Sequence, residues 1–290
     1  MKIPSWPEFK VILQKLYEKI FETDVLGNSA QVAFYFSFAL FPLLLFLVSL
    51  FGLILANAQD LRGELFMYLA QIMPPSAFEL VRTTLDEVSQ DSGGGKLTVG
   101  LVVTLWSASA GIDALRQALN LVYETSERRS WFYTKIQSLV LTLLFVILLM
   151  VALGFVFYEN QLMNPVFESI GLGGIASIVT TVVQWAALFL VLVISTAVIY
   201  SWLPSFPEFK WVWISPGAAL AIILFLSLTS AFRLYLTYFD SYNKTYGSLG
   251  AVIILMLWLY LTAAALLIGG AINSVLNEIA TPPKEAGQQS

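Results

Sequence analysis

The sequence predicts an all-α, polytopic integral membrane protein with six transmembrane helices, and three observations carry that prediction. Of the 290 residues, 58% are hydrophobic and only 12% charged, about half the charged share of a soluble domain. Six apolar stretches each approach the ~20 residues that cross a hydrocarbon core. Lysine and arginine gather in alternate connecting segments, as they do when those segments stay on the cytoplasmic side.

The chain opens on an expected amphipathic helix at 5–23. Trp6, Phe9, Leu13, Leu16, Tyr17 and Ile20 recur at spacings of three or four and share one face, while Lys10, Lys15, Glu18 and Lys19 fall elsewhere. Such a helix lies on a membrane surface or packs on its own protein, and both readings stand. Met1 to Asp24 lacks the continuous apolar core and small-residue cleavage site of a secretory signal.

The spans are expected at 30–57, 97–118, 132–158, 174–202, 212–238 and 248–274. Pro42 lies inside the first, where the missing N–H and the ring's clash with the preceding turn predict a kink. The fifth opens on Ser215-Pro216, an N-cap followed by a first-turn proline. Between the first two spans, 58–96 reads as a helical hairpin outside the membrane. Leu61, Leu65, Leu69 and Ile72 form one stripe, Phe78, Val81, Leu85 and Val88 a second, and Pro74-Pro75 separates them. The division is therefore a cytoplasmic helix (1–28), a six-span unit (29–275) with the extracytoplasmic hairpin at 58–96, and a cytoplasmic tail (276–290).

Orientation follows from Lys2, Lys10, Lys15 and Lys19 before the first span and from Arg116, Arg128, Arg129 and Lys135 around the end of the second. Both termini are then cytoplasmic and the acidic hairpin faces out. Trp131, Trp202, Trp211 and Trp213 fall at span ends on the inner side, as an interfacial belt does.

Composition also excludes functions. A net charge of −4 opposes nucleic-acid binding, which needs a basic face. The chain has no Cys and no His. Ser-His-Asp and Cys-His catalysis are excluded within it, and zinc, haem and iron–sulfur sites lose their usual ligands. No metal, no cofactor and no enzymatic activity are expected. No Asp, Glu, Lys or Arg lies near a span centre, which disfavours a proton relay.

Two polar clusters remain as candidates. In the second span Asp113, Arg116 and Asn120 recur at helical spacing near its inner end, beside small Ser107, Ser109, Ala110 and Gly111 that permit close helix approach. They form an inner polar site, a gate or headgroup-binding site, or else a pair that fixes helix register. The link between the last two spans holds Asp240, Tyr242, Asn243, Tyr246 and Gly247. It forms an outer polar site, or else an aromatic belt with Gly247 as a tight turn. Gln184, Ser195, Thr196, Ser227, Thr229, Ser230 and Thr262 either line a polar path or serve packing.

Four stretches together resemble the YihY/virulence factor BrkB family of bacterial inner-membrane proteins, whose older name is ribonuclease BN. They are Ser29 to Phe36 running into Leu40-Phe41-Pro42-Leu43; Leu105-Trp106-Ser107-Ala108-Ser109 running to Ala118-Leu119-Asn120-Leu121-Val122-Tyr123; Ser215-Pro216-Gly217-Ala218; and Tyr242 to Gly250 with Leu257-Trp258-Leu259-Tyr260. The resemblance implies six spans in the inner membrane and no settled activity. Transport, including lipid or small-solute export, is one proposal for the family, and its nuclease name is generally regarded as a misassignment. The expected function is accordingly a transporter or lipid-handling protein of unknown substrate, with membrane lipids as partners. The alternatives are a non-catalytic scaffold acting through the hairpin and, disfavoured, a membrane ribonuclease.

Overall fold

In lipid every backbone N–H and C=O must be satisfied within the segment, so long apolar runs become helices. The computed structural model describes residues 6–54, 94–169, 176–208, 211–238 and 248–280, and all its regular structure there is helical. The helices are α1 (Trp6–Glu22), α2 (Val25–Ile54), α3 (Gly94–Val122), α4 (Trp131–Ser169), α5 (Ala176–Trp202), α6 (Pro216–Tyr238) and α7 (Ser248–Ala280). Four of them are long and apolar enough to cross a membrane: α4, α5, α6 and α7. The expected hairpin at 58–96 lies outside the described residues but for the start of α3. Pro42 sits inside α2 as read from the sequence. Several helices overrun their expected ends, α4 to Ser169 and α7 to Ala280, whereas α6 begins only at Pro216.

Helices α2 to α7 close a ring in chain order. Each packs on the next, and α7 returns to α2, while α1 lies against α7 and α2. The α2–α3 seam shows how the sequence builds this. Val25, Ser29, Val32 and Ala39 are buried along one stripe of α2, and Ala108, Ile112, Leu115, Leu119 and Val122 along one stripe of α3. At Gly111 an added Cβ would come within 3.1 Å of the Phe36 ring, so the glycine admits that ring. The α6–α7 crossing is closer still. A Cβ at Gly217 would overlap the Gly269 carbonyl oxygen, and one at Gly269 would lie 2.5 Å from the Gly217 carbonyl oxygen. Glycine at both positions lets the two backbones touch, with Ala218, Ala221, Ala265 and Ala271 buried around them.

Outward, the helices present large apolar side chains. Val182, Trp185, Phe189 and Leu190 of α5 and Ile223 of α6 are exposed, as are Ile147 and Leu149 of α4. A face of this size needs an apolar surrounding.

The N-terminal helix corrects its expected face. Lys19 is only 5% exposed and packs inward beside Leu16 and Ile20, whereas Leu13 and Tyr17, assigned to the same apolar stripe, are exposed. One arc of α1 therefore packs on the bundle and a neighbouring arc of Leu13, Tyr17 and Phe21 is apolar and open. Asp24 joins α1 to α2 with a positive φ of 45°, and its carboxylate accepts from Gly27 N at 3.2 Å as the N-cap of α2.

Candidate polar site at one end of the bundle

The ends of α1, α3, α5 and α7 and the starts of α4 and α6 meet at one end of the ring. Helix α3 stops there in a Schellman turn. Glu124 takes a positive φ of 50°, its N–H donates to Leu121 O at 3.0 Å, and Thr125 N donates to Asn120 O at 2.9 Å. The reversal sends the short connection 123–130 back over the helix ends, which folds its charges into the bundle.

Asp113 is the centre of one set of contacts. Its Oδ1 pairs with Arg116 Nη2 at 3.0 Å and accepts from Ser138 Oγ at 2.6 Å. Its Oδ2 takes Lys135 Nζ at 2.9 Å, and the same ammonium donates to Ser109 Oγ at 2.7 Å and lies 4.6 Å from the Trp106 ring centre. Arg116 is buried. Its Nη1 donates to Thr134 O and to Ser138 Oγ, both at 2.9 Å, and its Nε lies 3.6 Å from Glu127 Oε2.

Glu127 continues the network. Arg129 grips it with Nε at 2.8 Å and Nη2 at 2.8 Å, a two-point fork. Partial burial opposes its charge, but the Arg129 hydrogen bonds and positive charge outweigh this and lower its pKa to about 2. Asn120 ties the network to the next connection. Its Oδ1 accepts from Ser205 N at 2.8 Å and its Nδ2 donates to Glu127 Oε2 at 3.2 Å.

Two neighbouring sets complete this end. Lys19 reaches Glu124 at 2.7 Å and Glu278 at 2.5 Å, fastening α1 to the ends of α3 and α7. Burial disfavours the Lys19 charge, yet the two carboxylates more than compensate and raise its pKa. Asn273 of α7 accepts from Gly217 N at 2.8 Å and donates to Ser215 Oγ at 2.9 Å, so it caps α6 together with Ser215. No buried side-chain nitrogen or oxygen among the described residues lacks a partner.

Asp113, Arg116 and Asn120 thus lie together, in one network with Glu127, Arg129, Lys135 and Ser138. Sequence reading missed the last four as members. Their signal is the shortness of the 123–130 connection, and the spacing of Lys135 and Ser138 on one face of α4. The proposed outer residues Asp240, Tyr242, Asn243, Tyr246 and Gly247 lie outside the described residues. Hydroxyls suggested for a polar path bond within their own helices: Thr196 to Leu192 O and Val193 O, Ser230 to Leu226 O, and Thr262 to Trp258 O. Among the described residues no three carboxylates gather as a metal site would require.

Long helices with outward apolar faces and a charged network at one end define a polytopic helical membrane protein. The family model "Virulence factor BrkB" matches residues 16–290, and the chain belongs to that family. It is 29% identical over 273 residues to "Putative ribonuclease-like protein YfkH" of Bacillus subtilis (strain 168), covering 94% of this chain and 98% of the relative. It is 27% identical over 274 residues to "UPF0761 membrane protein" of Histophilus somni (strain 129Pt), covering 93% of this chain and 90% of the relative. No solved structure matches the chain.

Proposed function

We propose that this chain is a six-span protein of the bacterial inner membrane, with both termini in the cytoplasm, that transports or handles a lipid or a small solute. Asp113, Arg116 and Asn120 are its inner polar site, and Asp240, Tyr242, Asn243 and Tyr246 its outer one. It acts without catalysis and without a metal, and membrane lipids are its immediate partners. The observation that carries this reading is the concentration of Asp113, Arg116, Glu127, Arg129 and Lys135 at one end of the ring. Charges are expensive beside lipid, and packing alone does not call for five of them.

One specific observation favours a second reading, a non-catalytic scaffold that presents the 58–96 segment to a partner. The network satisfies itself, since every buried polar side-chain atom described has a protein partner. A self-satisfied network suits register and stability as well as it suits a ligand.

The double variant Asp113→Asn with Arg116→Gln separates the two. It removes one charge of each sign and leaves amides in their places. Melting temperature in detergent and complementation of a deletion strain are measured together. Loss of complementation at a near-normal melting temperature supports a transport or lipid-handling site. Full complementation transfers these residues to structure and favours the scaffold.

A further inference from the structure

A cleft of about 280 Å³ opens beside the network, lined by Arg129, Tyr133, Ser201, Trp202, Pro204 and Phe206. It stands where α4 begins and α5 ends, so its described walls include the aromatic rings of Tyr133, Trp202 and Phe206 at the boundary between apolar helix and polar connection. Such rings settle at the level of lipid headgroups.

The polar equipment of this cleft is one-sided. Arg129 donates Nε and Nη2 to Glu127, Nη2 also to Leu203 O at 3.0 Å, and Nη1 to Gln137 Oε1 at 2.9 Å. One N–H of Nη1 is left without an acceptor among the described residues. The Trp202 indole N–H and the Tyr133 hydroxyl likewise have no acceptor there, although Trp202 O accepts from Gln137. Ser201 is committed to the backbone of Val212, to which it both donates and accepts. No carboxylate is among the described residues that line the cleft. The network behind it sets three cations, Arg116, Arg129 and Lys135, against two carboxylates, Asp113 and Glu127. A ligand matching these walls brings acceptor oxygens and negative charge.

We infer that this cleft binds the phosphate of an anionic group, with Arg129, Trp202 and Tyr133 as donors and Phe206 and Pro204 as apolar walls. The volume falls just short of the usual range for small-molecule pockets, roughly 300–1,000 Å³. It admits a phosphate with its glycerol and leaves acyl chains outside along the exposed faces of the helices. The phosphate is therefore that of a phospholipid headgroup or of a soluble glycerol phosphate. This inference rests on the membrane reading above but on no transport activity.

Purified protein in a neutral detergent is titrated with short-chain phosphatidylglycerol in one arm and with glycerol 3-phosphate in the other. Melting temperature and bound mass by native mass spectrometry are read in each. The expected result is retention of one phosphatidylglycerol per chain and a rise in melting temperature. Tyr133→Phe combined with Trp202→Phe keeps an aromatic ring at both positions and every bond of the network, and it is expected to weaken that binding at least tenfold. Arg129→Lys, which keeps a charge but not the fork, is expected to weaken it further. Equal binding of glycerol 3-phosphate, with the same dependence on the two variants, assigns the site to a soluble phosphate and upholds the phosphate assignment. Binding in neither arm, or phosphatidylglycerol binding that the aromatic double variant leaves unchanged, overturns it. Because binding is read on the purified chain, this outcome is independent of complementation by the Asp113 and Arg116 double variant.

Discussion

Along their apolar stretches the helices meet through alanine, leucine, valine and glycine, and hydroxyls such as Thr142, Ser230 and Thr262 donate to carbonyls of their own helices. At the polar end the same helices are joined by side chains that reach across: Arg116 to Thr134 and Ser138, Asn120 to Ser205, Asn273 to Gly217, and Lys19 to Glu278. The difference follows from the surroundings. Lipid tails are as apolar as leucine, so in the stretches the helices gain by close approach and not by expelling water. Directional bonds collect where water and headgroups are near and where helix ends leave backbone groups to satisfy. One region sets how near the helices come, and the other sets which helix end sits beside which.

The largest expected effect is at Arg116. Replacing it with Ala empties a buried position and takes one of two cations from each of Asp113 and Glu127, which keep Lys135 and Arg129, a change expected to cost ~2–3 kcal/mol, below the cost of orphaning a buried charge. A large drop in the detergent melting temperature checks this. A drop no greater than that of an exposed substitution such as Arg128→Ala would show that the network does not hold this end together.

Close backbone approach, the other way these helices are joined, is tested at the α6–α7 crossing, which runs into the polar end at Asn273. Gly217→Leu forces the side chain into the Gly269 carbonyl and the Asn273 amide, so the helices must separate, at ~1–3 kcal/mol. The change should lower the melting temperature without altering its pH dependence, because no titrating group is touched.

That pH dependence belongs to Glu127. Its folded pKa of about 2 lies below its ordinary 4.5, so the folded state binds the proton less readily. The stability it contributes is complete above about 4.5 and is lost as pH falls toward 2. Discounted for its partial exposure, the contribution is ~1–2 kcal/mol. Glu127→Gln should lower the melting temperature near neutrality and flatten this acid limb.

The smallest effect is expected in the apolar stretch. Thr262→Ala removes a hydroxyl bonded only to Trp258 O of its own helix and should change stability by less than ~0.5 kcal/mol. A large loss there would erase the distinction between the two regions.

These contrasts explain what was legible in the sequence. The helices were, because long apolar runs admit no other backbone solution in lipid. The spacing of Asp113, Arg116 and Asn120 was visible within one helix. Glu127, Lys135 and Asn273 were not, since each belongs to the site only through the turn at Glu124 or through a neighbouring helix. Lys19 was misplaced because periodicity sorts residues by polarity, whereas this lysine is drawn inward by Glu124 and Glu278. The end of α7 was read short for a related reason: the helix runs on past its apolar stretch to Glu278, which pairs with Lys19.

The polar end is proposed to face the cytoplasm, and site-directed labelling tests that most directly. The chain contains no cysteine, so single cysteines can be read on a clean background. Ser126→Cys lies exposed in the connection between α3 and α4, and Ser89→Cys lies in the segment expected on the opposite side. In intact cells an impermeant thiol reagent should label the cysteine at 89 and reach the one at 126 only after the membrane is opened. Labelling of both from the same side would contradict a cytoplasmic polar end opposite an outward-facing 58–96 segment.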